Sequence, residues 1–348
     1  MRLLLSGLRI FSETVHRRMD DKLVTIIGSE PLSLSLAAQY AERGERVCYV
    51  DLAKNRLLKE TKTLHVQGIW NTRVELNDVL FSLEEMNPSE TVVIAVPPSK
   101  FSQVFPVVLK NVREHDTVIF FPASFGAISF MEQLEEKGLA NDVTVAEAVS
   151  YPFVCAQKDS NTIISQSHKS ELRVAVSPES RTDSFISELN EVFDIFSVAR
   201  NFLETSLDNI NMTIHPLPVL LNIGAIERDA SFRHYIDGVT PTVGKLLDKI
   251  DAERMAIGEK LQVKLTSALD QLKKYYGDSN AANLFEYVSN ENGPYTKVGR
   301  FGLDSRYVME DIPNLLVPTT KIADTVGVEV PVMKLCITLA ETVLGVTF

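Results

Sequence analysis

The chain has 348 residues and a formal net charge of −11, with 45% hydrophobic and 23% charged residues. This length is too great for one compact core and predicts two domains of ordinary size. The acidic balance argues against nucleic acids and anionic membrane surfaces as partners, because both are bound through clustered Lys and Arg. The three cysteines have no paired spacing, so the sequence indicates neither a metal site nor a disulfide framework.

The ends of the chain and its apolar runs bear on where the protein is located. The apolar run after Met1 is interrupted by Arg9 and is too short for a secretory signal. No run approaches the length of a membrane span, so we expect a cytoplasmic protein. Residues 1–21 do not fit the pattern that follows, and we interpret them as an N-terminal extension without an assigned role.

The first regular pattern in the chain predicts a βαβ unit of the dinucleotide-binding type. Residues 22–27 are a β-branched run that ends at Gly28, which is typical of a buried parallel strand. The pattern then predicts a helix over 31–43. A second strand is predicted over 46–50, and it ends at Asp51.

The glycine-rich fingerprint of such a unit is incomplete. The motif G-x-G-x-x-G would place three glycines where this chain has Gly28, Glu30 and Ser33. The second glycine normally lets the backbone approach the diphosphate, so Glu30 brings bulk and negative charge to that place. We predict that Gly28, Ser29, Glu30 and Ser33 form the cofactor-binding loop. A Rossmann-like domain that no longer binds a nucleotide stays open as an alternative.

Three further positions bear on the choice of cofactor. Asp51 would accept hydrogen bonds from the adenosine ribose hydroxyls, which favours NAD over NADP. Lys54 and Arg56 follow closely enough to keep the 2′-phosphate of NADP possible. Pro97 follows a β-branched run over 91–96, whose carboxyl end would face the cofactor crevice. The predicted cofactor is therefore NAD or NADP, with NAD slightly favoured.

Later segments extend the sheet and then change character. Further strands are predicted over 116–121, 143–146 and 172–176, with a helix over 128–137. The alternation continues to about residue 195 and predicts a doubly wound parallel sheet, whereas helical periodicity fills the rest. We therefore predict an α/β fold, with a Rossmann-like domain over 22–198 and an all-α substrate and catalytic domain over 199–348.

An apolar stretch in the predicted helical domain carries unusual polar residues. Asn211, His215 and Asn222 have the spacing of one helix face. Pro216 and Pro218 cannot donate backbone hydrogen bonds, so a helix here must kink or restart. A buried histidine beside freed carbonyl groups is costly unless it is used, although a hydrogen-bonded core histidine is equally compatible with the local sequence.

A second polar cluster lies near the end of the chain. Arg306 precedes Asp311 by five residues in a segment that ends at a proline. The planar guanidinium of an arginine suits a carboxylate ligand. An aspartate hydrogen-bonded to an imidazole would fix its tautomer and favour its protonated form. A solvated loop with ordinary charges is the alternative interpretation of this segment by itself.

Together these segments resemble the opine dehydrogenases, the octopine/nopaline dehydrogenase family. The resemblance spans roughly residues 22–348 and is most specific in the helical half. Its motifs lie at 205–227, at 235–241 with 250–254, at 306–318 and at 323–331, and weaker matches lie at 122–126 and 145–152.

The resemblance implies an NAD(P)H-dependent reductive condensation of an α-amino acid with an α-keto acid, such as pyruvate, through an imine. It implies that His215 is the general acid/base and that Asp311 orients it. It also implies that Arg306 holds the keto-acid carboxylate and that Asn211 hydrogen-bonds to substrate. A homodimer is possible.

Two alternatives remain at this point. One is a related two-domain reductase of keto acids or 3-hydroxyacids, although such families use a lysine on the helix where this chain has His215. The other is a non-enzymatic protein that kept the architecture and lost nucleotide binding, because Glu30 departs from the family pattern.

Overall fold

The computed structural model describes residues 22–277 and 280–348, so the predicted extension over 1–21 lies outside the described residues. The strands of the described ranges form two sheets. In chain order they are β1 (Leu23–Gly28), β2 (Arg46–Asp51), β3 (Thr63–Gly68), β4 (Thr72–Glu75), β5 (Asp78–Leu80), β6 (Thr91–Ala95), β7 (Thr117–Phe120), β8 (Thr144–Ala148), β9 (Phe153–Asp159), β10 (Thr162–His168), β11 (Leu172–Ser177) and β12 (Phe196–Val198).

The larger sheet has the strand order β12-β11-β8-β7-β6-β1-β2-β5. Strand β1 pairs in parallel with β2 on one side and with β6 on the other, and Gly28 is in register with Asp51 and Ala95. The strand order reverses between β1 and β6, and ligands of such sheets bind at that crevice. Gly28, Asp51 and Pro97 therefore lie at one edge, and the predicted Rossmann-type fold is confirmed.

Two strands of this sheet depart from the predicted parallel arrangement. Strand β11 pairs antiparallel with β8, and β12 is parallel to β11, so both run opposite to the other six strands. A parallel return needs a crossover connection, usually a helix. Here the chain between β8 and β11 instead forms the hairpin of β9 and β10, so it re-enters the sheet in the opposite direction.

The second sheet, with the order β4-β3-β10-β9, is absent from the sequence prediction. It packs on the helix Pro31–Glu42, which is α1. Strands β9 and β10 form an antiparallel hairpin, and β10 continues the sheet by pairing in parallel with β3. Residues 153–168 do carry a hairpin signal, because two β-branched or aromatic runs flank the short turn at Ser160 and Asn161.

The remaining elements are helical. In chain order the further α-helices are α2 (Arg56–Thr61), α3 (Phe101–Asn111), α4 (Gly126–Glu136), α5 (Thr182–Phe193), α6 (Phe202–Leu207), α7 (Asn211–Ile214), α8 (Pro216–Leu221), α9 (Ile223–Arg228), α10 (Pro241–Leu261), α11 (Ala268–Tyr276), α12 (Leu284–Val288), α13 (Arg306–Met309), α14 (Val317–Val326) and α15 (Pro331–Leu344). A π-helical turn, Ile312–Leu316, joins α13 to α14. From residue 199 onward the described residues contain helices and loops but no strand, as predicted. No helix in the described ranges is long and apolar enough to cross a membrane.

A buried acid fixes the sheet to the first helix of the helical half. Glu147 at the end of β8 is fully buried, and its carboxylate accepts hydrogen bonds from Thr205 Oγ1 and Ser206 Oγ, each at 2.7 Å. The backbone N–H of Ala127 donates to it at 3.2 Å. Burial raises the pKa of Glu147, and these donors oppose that rise. The contact sets how α6 and the following segment meet the carboxyl edge of the sheet.

Candidate active site

The predicted interruption of the helix is present at His215. Helix α7 ends at Ile214 and α8 begins at Pro216, so His215 lies at the junction of two short helices. The side chain of Asn222 does not continue the line of Asn211 and His215 into the site. It donates instead to the carbonyls of Pro218 and Gly238, at 2.8 and 2.9 Å.

His215 and Asp311, 96 residues apart, form a direct pair. The distance from His215 Nδ1 to Asp311 Oδ2 is 2.7 Å. Both residues are buried, with 5% and 8% of their surface exposed. A carboxylate oxygen can only accept, so Nδ1 carries the hydrogen and the neutral ring keeps Nε2 as an acceptor.

Asp311 favours the protonated form of His215, as expected from the sequence, but burial has the larger effect on the pKa of the ring. Burial lowers the pKa of His215, and the hydrogen bond and charge of Asp311 raise it by less than burial lowers it. The cations Arg306 and Lys169 lower it further. The imidazole is therefore neutral at neutral pH and begins a reaction as a proton acceptor.

Tyr307, which the sequence analysis did not single out, fixes the plane of the imidazole. Its ring lies parallel to that of His215, with centroids 3.7 Å apart and an interplanar angle of 3°. Phe301 stacks on Tyr307 at 3.9 Å. The only sequence signal for Tyr307 was its position directly after Arg306. With Asp311 at its edge and Tyr307 on its face, the His215 ring has little freedom to turn.

Arg306 and Asn211 present unpaired polar groups beside this pair. Arg306 is solvent-accessible, and neither its guanidinium nor the Asn211 amide has a hydrogen-bond partner within residues 22–277 and 280–348. Desolvation lowers the pKa of Arg306, but Asp311, followed by Tyr307, Glu30 and Tyr151, raises it by more. The guanidinium is therefore charged and free to bind an anion.

These residues line one cleft between the sheet's carboxyl edge and the helical half. The cleft has a volume of about 1080 Å³, and Glu30, Asn211, His215 and Arg306 all lie on its wall. A small adjoining cavity of about 40 Å³ adds two further predicted residues, Pro97 and Asp311, and shares Glu30, Asn211 and Arg306 with the cleft. The structure thus brings together six of the residues proposed from sequence.

The predicted nucleotide loop has the backbone expected at such a site. A Cβ on Gly28 would lie 2.2 Å from the Ser33 side chain, so the close approach of β1 and α1 requires glycine there. Ser33 is fully buried, donates to the Glu30 carbonyl at 2.7 Å and is 2.7 Å from the Tyr49 hydroxyl. Ser33 thus supports the loop from behind, whereas Ser29 and Glu30 remain partly exposed at the N-terminus of α1.

Asp51 has a structural role that the sequence did not predict. It is buried, and its two carboxylate oxygens accept from the backbone N–H groups of Ala53 and Asn55, at 2.9 and 2.7 Å. The acid therefore closes the turn after β2. Each oxygen retains a second lone pair, so contact with a ribose hydroxyl is compatible with this arrangement.

The acid–arginine motif at 250–254 is structural in this chain. Arg254 is fully buried and donates to Asp251 at 2.7 Å and to Asp208 at 2.9 Å. Burial lowers its pKa, and the two carboxylates raise it by more. Every part of the guanidinium is engaged inside the helical core, so Arg254 is not available to a ligand.

Fold and cleft together are those of an NAD(P)-dependent oxidoreductase, with a histidine–aspartate pair beside the carboxyl edge of the parallel sheet. Residues 198–344 match the family described as NAD/NADP octopine/nopaline dehydrogenase, alpha-helical domain. An opine dehydrogenase from Arthrobacter sp. (strain 1C) is 27% identical over 335 residues, which cover 95% of this chain and 93% of the relative. The chain is therefore similar to the opine dehydrogenases over nearly its whole length, and the resemblance inferred from its motifs is confirmed.

Two solved structures establish the same fold. Octopine dehydrogenase with NADH and L-arginine superposes with a TM-score of 0.74 at 17% identity, over 93% of this chain and 90% of that chain. Yersinopine dehydrogenase with NADP⁺ bound superposes with a TM-score of 0.78 at 16% identity, over 94% of this chain and 91% of that chain.

Proposed function

We propose that this protein joins an α-amino acid to an α-keto acid such as pyruvate through an imine, and reduces the imine to a secondary-amine dicarboxylate. The observation that carries the proposal is the His215–Asp311 pair, which shares a cleft with the unpaired guanidinium of Arg306. Such a cleft offers a base, its orienting acid and an anchor for an anion. The relatives named above include enzymes of this reaction type, which supports the assignment.

Arg306 and Asn211 bind and orient the keto acid. The fork of Arg306 holds the carboxylate by two parallel hydrogen bonds, which places the adjacent carbonyl toward His215. The Asn211 amide, one short helix earlier, donates to a substrate oxygen. Neither the Arg306 guanidinium nor the Asn211 amide has a hydrogen-bond partner in the described residues. A substrate therefore binds to them without breaking a hydrogen bond within the protein.

His215 moves the proton of the condensation. Its neutral Nε2 accepts a proton as the amine attacks the carbonyl carbon, and Asp311 stabilises the resulting imidazolium. His215 gives this proton to the carbonyl oxygen, which completes the carbinolamine. A second proton then passes from the nitrogen through Nε2 to the carbinolamine hydroxyl, which leaves as water as the C=N bond of the imine forms. The lowered pKa of His215 suits this cycle, because the ring starts neutral and gives the proton up readily.

The residues at the carboxyl edge of the sheet are suited to bind NAD(P)H, except for the negative charge of Glu30. The bound nucleotide supplies the hydride that reduces the imine. Gly28, Ser29 and the N-terminus of α1 would hold its diphosphate, with Asp51 at the ribose and Pro97 beside the crevice. The position of Asp51 favours NAD over NADP. The Glu30 carboxylate opposes the diphosphate and weakens this binding.

The test is NAD(P)H oxidation with pyruvate, measured with and without each member of an amino-acid panel. We expect oxidation only when an amine is present, and a product whose mass equals both substrates minus water plus two hydrogens. Oxidation without amine, giving the 2-hydroxy acid, would instead identify a simple keto-acid reductase. Absence of any fluorescence or melting-temperature change with NADH and NADPH would favour the non-enzymatic alternative.

A further inference from the structure

Lys169 is a buried cation in the cleft that the proposed reaction has not yet used. It follows β10, and only 8% of its surface is exposed. Its backbone N–H donates to the Pro152 carbonyl at 2.9 Å, which fixes the start of the side chain. Its ammonium donates to Ser150 Oγ and lies 4.7 Å from the centroid of the Tyr275 ring.

The surroundings of Lys169 lack the partner that a buried ammonium normally has. In the described part of the chain no carboxylate pairs with it, and its contacts are one hydroxyl and one aromatic face. Burial, with a contribution from the charge of Arg306, lowers the pKa of Lys169 to about 7. An unpaired buried charge is costly, and an incoming anion would remove that cost.

The position of Lys169 relates it to the substrates. It lines the same cleft as His215 and Arg306, and its charge lowers the pKa of His215. Three cations line the cleft, Lys169, Arg306 and Lys297, and none of them has a protein carboxylate bonded to it within the described ranges. Of the three, Lys169 is the buried one. The product of the proposed reaction carries two carboxylates, one from each substrate.

We propose that Lys169 binds the α-carboxylate of the amino-acid substrate, while Arg306 binds that of the keto acid. This inference rests on the proposed function and extends it to substrate selection. Lys169 makes the enzyme select amino acids over amines that lack a carboxylate. Lys169 lies on the wall of the cleft, and Ser150 accepts a hydrogen bond from its ammonium group.

The test compares the binding and use of an amino acid with those of its decarboxylated amine. In Lys169→Met, the KM for the amino acid should rise about 10- to 100-fold, as expected for loss of a charge-assisted hydrogen bond. The KM for the keto acid should stay within about twofold, and the preference for the amino acid over the amine should collapse. Lys169→Arg should keep most of that preference, because the charge is retained.

The matched control is Lys274→Met, since Lys274 lies on α11 beside Tyr275 with 53% of its side chain exposed. Lys274→Met should leave the KM values for the amino acid, the amine and the keto acid unchanged. The assignment would be overturned if Lys169→Met raised the KM for the amino acid and for the amine by the same factor. It would also be overturned if only the KM for the keto acid rose.

Calorimetric titration of the nucleotide-loaded protein separates this inference from the proposed function, because it needs no turnover. The wild-type protein should bind the amino acid more tightly than the amine, and Lys169→Met should bind both equally. Absence of that difference in the wild type refutes the role of Lys169. Absence of amine-dependent NAD(P)H oxidation in the wild type refutes the proposed reaction instead.

Discussion

The nucleotide loop and the His215 cluster are built in contrasting ways. The loop is local in sequence, since Gly28, Glu30 and Ser33 lie within six residues and act largely through backbone geometry. The His215 cluster joins side chains 96 residues apart, and each of its contacts depends on how helices pack. A local site, and any departure from its motif, can be recognised from the sequence. A site whose residues are far apart in the chain is recognised only in the folded structure.

The two regions also differ in how their charges are balanced. The buried charge of Asp311 has His215 as a direct partner, and the imidazole is further held by Tyr307. The Glu30 carboxylate has no ion-pair partner within 22–277 and 280–348, although its charge raises the pKa of Arg306 across the cleft. We therefore expect changes in the His215 cluster to affect chemistry and changes at Glu30 to affect cofactor affinity.

Replacing the base should have the largest effect. In His215→Asn, which keeps a donor for Asp311, turnover should fall about 10²- to 10⁴-fold because proton transfer is lost. The Kd for NAD(P)H, measured by fluorescence titration, should stay within about twofold. Leu221→Ala, at an exposed position at the end of α8, is the control and should keep full activity. Loss of nucleotide binding in His215→Asn would show that the histidine is structural.

A second histidine behind the cluster should set the acid stability of the helical half. His234 is fully buried against Tyr235 and Tyr307. Burial, with a smaller effect of His215, lowers its pKa to about 3. Between its unfolded pKa of about 6.5 and this value, the unfolded chain binds more protons, so stability is full above about pH 6.5 and falls as the pH falls.

The corresponding variant is His234→Leu, which removes the titrating group. Between pH 7.5 and 5 the wild type should lose about 2 kcal/mol of unfolding free energy through His234, at 1.36 kcal/mol for each pH unit below 6.5. The unfolding free energy of the variant, measured by denaturant unfolding at each pH, should fall by about 2 kcal/mol less over the same range. Parallel pH profiles for the two proteins would show that His234 does not contribute.

Removing the negative charge of Glu30 from the nucleotide loop should have the smallest effect of these substitutions, and it should strengthen cofactor binding, whereas His215→Asn lowers turnover. Glu30→Gln should tighten NAD(P)H binding about tenfold at low ionic strength, because a carboxylate no longer opposes the diphosphate. The gain should shrink with added salt. Glu60→Gln, an exposed acid on α2, should change the Kd little. Weaker binding in Glu30→Gln would mean that the carboxylate contacts the cofactor favourably.

Much of the fold could be predicted because its signals are local. The β-branched run before Gly28, the helix that follows and the break at Pro216 each follow from the backbone preferences of a few adjacent residues. The second sheet was missed because β10 pairs with β3, about one hundred residues earlier, and short alternating runs do not identify such partners. The antiparallel β11 was missed for the same reason, since strand direction depends on the connection and not on the strand.

The sequence by itself determined the similarity to opine dehydrogenases, the βαβ unit with its incomplete fingerprint and the interruption at His215, because each depends on residue types at short, fixed spacings. Only the tertiary structure decided that Asp311 pairs with His215, that burial outweighs Asp311 in setting the histidine's pKa, and that Lys169 reaches the cleft beside Arg306. Those results depend on distances and solvent exclusion between segments far apart in the chain, and neither quantity is encoded at any single position.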